Sequence, residues 1–267
     1  MRRQMVSNVR LFLQGALLSY VALFRWLQPV TYLASKIVMP LVQILFWTLL
    51  GTFATGSASA SYYVIGNSVW LAAVNGIYGV TMSVGGDRWA GTLPYLFGSP
   101  ANRLALFSGR AFMHVLDGTL SVIMAFGWGV LLFGLDLSHT DLPALALVIL
   151  VTTFSTSGLG LFLGCISLVS IETMFINNTM FFLLLLLSGA NIPLSSMPGW
   201  MQTISWCLPL TRGIASARAL IDGATLAEVS PLLLGELALG TAYVLVGYTL
   251  FRWFEMQAKR IGRLEGF

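Results

Sequence analysis

Apolar residues run through this chain in six long stretches, with polar positions confined to the gaps and to isolated interruptions. The stretches are 29–53, 62–84, 108–135, 142–169, 172–190 and 231–254. A helix rises about 1.5 Å per residue, so each is about long enough to cross a hydrocarbon layer of about 30 Å. The runs do not alternate polar with apolar, which argues against barrel strands. Gly, Ser and Thr within them allow neighbouring helices to approach closely. The earlier stretch 11–24 has a different pattern. On a helical projection Ser7, Arg10, Gln14, Arg25 and Gln28 gather within an arc of roughly 60° while the rest is Leu, Phe, Val and Tyr. That profile predicts a helix lying in the membrane interface.

Between the fifth and sixth runs, prolines at 193, 198 and 209 forbid one continuous helix, yet the segment stays rich in aromatic and aliphatic residues. Short helices tucked into the outer leaflet reconcile the two, so an external helical hairpin is expected over 191–211.

Composition supports a membrane setting. Hydrophobic residues make up 57% of the 267 and charged residues only 9%, against about 25% charge in soluble domains. The formal net charge is +4, but the cations sit at span ends and form no nucleic-acid face. With the N-terminus inside, the cytoplasmic side collects Arg2, Arg3, Arg10, Arg25, Lys36, Arg88, Arg103, Arg110, Arg252, Lys259, Arg260 and Arg263. Only Arg212 and Arg218 of the fourteen cations fall outside. Both termini are therefore expected in the cytoplasm, and no cleavable leader is evident after Arg2 and Arg3. The expected layout is an interfacial segment 1–28, a six-span domain 29–254 and a cytoplasmic tail 255–267. Cys165 and Cys207 offer no metal spacing, and a disulfide between them is not expected.

One polar gap is unusual. Residues 85–100 read Gly-Gly-Asp-Arg-Trp-Ala-Gly-Thr-Leu-Pro-Tyr-Leu-Phe-Gly-Ser-Pro, charged, Gly-punctuated and Pro-ended between two spans. Its Asp-Arg, Gly-Thr-Leu, Leu and Ser-Pro pattern resembles the cytoplasmic coupling segment of ABC type-2 export permeases. One departure is Pro94, where that family often has an acidic residue. The outer segment carries a second resemblance, in Ser188-Gly189, Pro193, Pro198-Gly199-Trp200, Pro209-Leu210-Thr211 and Arg218 in the family's basic position. Together with the six spans, the resemblance covers nearly the whole chain. It implies a coupling helix over 87–97 that docks on a separate ATP-binding subunit through Asp87, Arg88, Trp89, Gly91, Thr92, Leu93, Tyr95 and Leu96. Asp87 and Arg88 would pair at the rim of that contact. It further implies two permease chains, the second identical, assembled with two ATPase subunits in the cell's inner membrane. The family also places its second and fifth spans around the central pathway. The polar and aromatic interruptions there are Asn67, Asn75, Tyr78, Asn177, Asn178, Phe181 and Phe182, which could line a route for an amphipathic substrate or simply bond neighbouring helices.

The chain has no nucleotide loop of its own. A phosphate-binding loop ends in Gly-Lys-Ser/Thr, and the only lysines, Lys36 and Lys259, lack that setting. ATP and its Mg are therefore expected on the partner, with no cofactor and no metal in this chain. An intramembrane serine protease is rejected, because Ser155-Thr156-Ser157-Gly158 lacks a suitably placed histidine base among His114 and His139. The alternative from another class is an ion-coupled carrier using Asp117, His114 and Glu236, since ionisable groups within spans are costly and often functional. Against it, His114 and Asp117 are expected to pair locally with Arg110 one turn below, and Glu236 to sit near the headgroups. Sparse charge along the spans points to a drug, lipid or glycolipid as cargo.

Overall fold

In the computed structural model, residues 2–26, 29–168 and 173–261 are described, and among them the chain is helical throughout with no strand. Ten α-helices follow in order: α1 Arg2–Trp26, α2 Pro29–Thr55, α3 Ala60–Trp89, α4 Leu93–Gly98, α5 Arg103–Phe133, α6 Leu142–Ser167, α7 Thr173–Leu187, α8 Gly199–Cys207, α9 Thr211–Ile221 and α10 Leu226–Ile261. Five of them, α2, α3, α5, α6 and α10, contain stretches long and apolar enough to span a membrane. The ends of the fourth and start of the fifth expected spans, Val169 and Glu172, lie outside the described residues, as do Gln28 and the tail beyond 261.

The described part of the fifth run is α7, with 15 residues and a rise of about 22 Å. It ends at Leu187, after which Gly189 adopts φ +80° and Pro193 follows, turning the chain.

The core lies where α3 packs on α6. Both helices lose their large side chains at the crossing: a Cβ on Gly160 would stand 2.7 Å from the Gly76 carbonyl oxygen, and one on Gly76 would stand 2.6 Å from Thr156 Oγ1. Backbones this close trade hydrogen bonds, and Thr156 Oγ1 donates to the Ala72 carbonyl at 3.1 Å while Thr81 Oγ1 donates to Gly160 at 3.0 Å. A similar seam joins α6 to α10, where Gly158 faces Gly240 and Cys165 Sγ donates to the Gly247 carbonyl at 3.2 Å. Asp141 caps α6 by accepting the Ala144 amide at 3.1 Å.

α2 is peripheral. Val30, Leu33, Val42, Phe46, Leu49 and Phe53 are all exposed, an apolar stripe suited to lipid or another membrane helix. α1 packs on α5, with Gly109 beneath the Phe12 backbone and the Phe12 and Phe112 rings 5.6 Å apart. Its opposite side exposes Val9, Arg10, Leu13, Gln14 and Leu17. The side chains of Ser7 and Arg25, also placed on the polar arc, lie outside the described residues. The segment before the last span is built from the turn at Leu194–Ser196 and helices α8 and α9, with α9 starting only at Thr211, where the expected hairpin ends, and running to Ile221.

Candidate coupling segment and transmembrane cleft

The 85–100 segment is not one helix. α3 ends at Trp89, and Gly91 at φ +65° breaks the chain before α4 begins. The break is stapled from within. Thr92 N–H donates to the Asp87 carbonyl at 2.9 Å, and Thr92 Oγ1 donates to Asp87 Oδ1 at 2.9 Å. Asp87 Oδ2 accepts from Arg110 Nη1 at 2.6 Å, and the same guanidinium nitrogen reaches the Ser83 carbonyl at 3.0 Å. Asp87 is thus an internal brace to α5. The side chains of Arg88 and Trp89 lie outside the described ones.

Leu93 also turns inward. It is 2% exposed, packed among Val80, Val84, Phe107, Leu168 and Phe251, with Leu96 against the same cluster. A one-and-a-half-turn helix needs such an anchor because it cannot hold itself together. What faces outward is Gly91, Thr92, Gly98 and Tyr95, the last 80% exposed. The segment leaves through Ser99, whose carbonyl accepts from Arg103 Nη2 at 2.9 Å.

Four of the seven candidate pathway residues converge between α3 and α7. Tyr78 hydroxyl donates to Asn178 Oδ1. Phe181 meets Trp70 edge-on at 4.5 Å between centroids. Asn177 is fully buried in the same cleft with Ala73, Ile77 and Leu184, and neither polar atom of its amide has a partner; nor does Trp70 Nε1. The cleft admits no water-sized sphere. Phe182 points outward beside it, 64% exposed. Trp70 escaped the sequence reading, although it lies seven and eight positions before Ile77 and Tyr78, on one helical face.

Asn67 and Asn75 belong elsewhere. Asn67 exchanges hydrogen bonds with Asn191 at 2.9 and 3.3 Å, at the outer end. Asn75 joins a buried cluster between α2, α3 and α5. There Lys36 Nζ donates to Asp117 Oδ2 at 2.6 Å, Ser121 Oγ at 2.9 Å and Asn75 Oδ1 at 3.0 Å, while Tyr32 hydroxyl donates to Asp117 Oδ1 at 2.5 Å. Two expectations are corrected here. Lys36 is no cytoplasmic flanking cation but 7% exposed inside the bundle, and Asp117 pairs with it and not with Arg110, which Asp87 has taken. Asn75 and Asp117 lie near the middles of α3 and α5, so the cluster does not sit at a membrane edge.

Glu236 lies on α10 beside the start of α9. It is fully buried and Oε1 accepts the Leu210 amide at 2.8 Å. Leu210 is the one described non-glycine residue with positive φ, at 94°, and leads from Pro209 into α9. Arg218 on α9 ties the turn after α7 to the start of α3. Its Nη1 donates to Gly189 at 2.9 Å, its Nη2 to the Tyr62 and Ala190 carbonyls at 3.1 Å each, and its guanidinium lies 3.6 Å from the Tyr62 ring centre. Burial lowers its pKa from the usual arginine value, yet a guanidinium stays charged at neutral pH. Carbonyl dipoles and an aromatic face therefore do the work of a counterion. Pro193 and Pro198 start the two outer turns, and Trp200 stands 65% exposed on α8. Among the described residues no His, Cys, Asp and Glu cluster is able to hold a metal, and both cysteines are free.

A braced inter-span segment, apolar spans and a pair of short helices before the last span fit a membrane permease, and family comparison agrees. Residues 14–221 match the ABC-2 type transporter family model, and the chain belongs to that family. Over 152 residues it is 25% identical to a curated protein of Escherichia coli K12 named "Probable multidrug ABC transporter permease YbhR", and equally to the protein of that name in Escherichia coli O157:H7. The match covers 56% of this chain and 40% of the relative, so the chain spans well under two thirds of the curated relatives' length. It is a multi-pass membrane protein of the ABC transporter permease type.

Proposed function

We propose that the chain is the membrane subunit of an ATP-driven exporter, with ATP and Mg bound and hydrolysed on a separate ABC subunit. The observation that carries this is the braced α4. Asp87, Arg110 and Leu93 fix the segment to α3 and α5, leaving Tyr95 presented outward on a rigid mount. Aromatic anchors on rigid supports are typical docking elements. Two such subunits would engage two permease chains, the second identical, with both termini cytoplasmic and α1 lying in the inner-membrane interface.

The α3–α7 cleft is the candidate start of the substrate route. Its groups are aromatic or neutral and polar, which suits an amphipathic or hydrophobic cargo such as a drug, lipid or glycolipid. The name of the Escherichia coli relative supports the drug branch. The unpartnered Asn177 amide supports a route that opens, because a buried amide without a hydrogen bond costs about 1–3 kcal/mol. ATP-driven closure of the partner pair would move α4 as a rigid body and rock the bundles between inward- and outward-open.

The test is Tyr95→Asp beside Arg88→Glu. Both should weaken co-purification of the ATPase subunit while the permease itself folds normally. Unchanged assembly and turnover in both would remove the coupling assignment.

A further inference from the structure

We propose that α10 mechanically links the coupling segment to the outer mouth of the α3–α7 cleft, with Glu255 and Glu236 as its two positioning residues. The inference rests on the exporter reading above and adds how motion at α4 reaches the opposite side.

At the inner end, Arg103 serves two elements at once. Its Nη1 donates to Ser99 Oγ at 3.1 Å and the Ala101 carbonyl at 2.8 Å, and its Nη2 to the Ser99 carbonyl and to Glu255 Oε1, both at 2.9 Å. The turn leaving α4 is therefore tied through one guanidinium to α10. Glu255 is 1% exposed and also accepts from Arg252 at 2.7 Å and Lys259 at 2.8 Å. One turn deeper, Phe107 and Phe251 pack edge-on at 4.6 Å, joining α5 to α10 again. A buried charge pair backed by a ring contact resists separation, since parting it removes a short ionic bond from two buried groups.

Glu255 lies nineteen positions after Glu236, and the stretch between them is all helical and without proline. That is a rise of about 28 Å, close to the hydrocarbon thickness. Pro231, the one proline inside α10, lies before Glu236 and outside this rod.

At the outer end the rod grips α9 by its start. Glu236 accepts the Leu210 amide at 2.8 Å, at the residue held at φ 94°. A leucine tolerates that conformation only where its surroundings enforce it, and here a buried carboxylate does so. Gly235 makes room for Arg212, since a Cβ there would stand 2.9 Å from Arg212 Nε. Two turns along α9, Arg218 holds the Gly189 and Ala190 carbonyls of the turn that ends α7, together with Tyr62 of α3. Tyr62 hydroxyl donates to Gly189 at 2.9 Å. A shift of α10 thus pulls on Leu210, α9 and then the turn that roofs the cleft. Spatial continuity alone does not establish coupling, so the readout must be motion and not only stability.

The experiment uses the permease assembled with its ATPase subunit in proteoliposomes. Ala190, fully buried under Arg218, is replaced by cysteine in a Cys207→Ser background, with the background alone as control for the buried Cys165. A membrane-impermeant maleimide is applied outside, with and without ATP and vanadate. In the parent, nucleotide should raise labelling of Ala190→Cys at least threefold. Glu255→Gln and Glu236→Gln should each abolish that rise while leaving ATPase co-purification and its basal hydrolysis in place. The double variant should do no worse than either single, because one cut already breaks the rod. Exchanging the charges, Arg103→Glu with Glu255→Arg, should recover at least half the response. If Glu255→Gln fails to fold, Glu255→Asp and Glu236→Gln carry the same comparison. A rise that persists in the carboxylate variants, or losses that simply add, overturns the link. A parent that shows no nucleotide-dependent labelling although it binds the ATPase also overturns it. Failure of the ATPase to bind the parent at all would instead strike the exporter reading.

Discussion

Removing the Asp117 carboxylate should be the most damaging single change in the bundle interior. In the Asp117→Ala variant, Lys36 keeps only the neutral acceptors Asn75 and Ser121 for an ammonium that is 7% exposed. Breaking one side of a buried pair costs about 3–5 kcal/mol, and a lone charge at the centre of a membrane helix costs about 2.5–3.5 kcal/mol on insertion scales. Tyr32 also loses this hydrogen bond, roughly 1 kcal/mol more. The first two figures describe the same loss, so taking about 3 kcal/mol for it gives a total of about 4 kcal/mol, roughly a thousandfold shift in the folding equilibrium. The damage should centre on α2, whose apolar stripe faces outward and whose other described polar tie to α5 is Trp128 Nε1 donating to the Ile37 carbonyl at 3.1 Å. Denaturant unfolding in mixed micelles, followed by tryptophan fluorescence, reads the loss. Lys36→Met should cost less, because Asp117 keeps the Tyr32 hydroxyl as a hydrogen-bond donor. The double variant Lys36→Met with Asp117→Leu should recover to within about 1–2 kcal/mol of the parent, since no charge remains buried. An Asp117→Ala protein within 1 kcal/mol of the parent would refute the buried-pair reading. So would a double variant as unstable as Asp117→Ala.

Further expectations follow from the cleft, the topology and the core seam. Asn177→Leu should raise stability by about 1–3 kcal/mol, because it removes an amide with no partner, while lowering transport; if both fall together, the cleft is packing and not a route. In a background lacking Cys165 and Cys207, a probe at Ser59 should label from outside and one at Ser7 only from inside; outside-only labelling of Ser7 would make α1 a span. Gly160→Leu should prevent stable assembly of α3 on α6, as even a Cβ there meets the Gly76 carbonyl at 2.7 Å, and wild-type thermal stability in that variant would contradict the tight seam.

The apolar runs made the bundle legible because span length and hydropathy are local properties. Contacts made at a distance in sequence were not. Lys36 looked like a cation flanking a span, since its acceptors lie 39, 81 and 85 positions away. The brace between Asp87 and Arg110 was hidden because the two lie 23 residues apart. α4 is too short for apolar periodicity to reveal that Leu93 points inward. The tie between Glu236 and Leu210 was hidden because one partner is a backbone amide, and amides leave no mark in a sequence. The paired residues 67 and 191 were equally hidden, while Tyr78, Asn177, Asn178 and Phe181 were found because polar and aromatic interruptions stand out in spans.

The most direct measurement is the energy source, taken on the reconstituted protein in sealed vesicles. ATP-driven export predicts transport of an amphipathic dye only when the ATPase subunit and ATP are present, without any ion gradient, and little changed by Glu228→Gln on the exposed start of α10. The permease alone, given a proton or sodium gradient, should move nothing. Gradient-driven uptake by the permease alone, abolished in Asp117→Asn, would contradict the exporter and make the Lys36–Asp117 cluster an ion-coupling site.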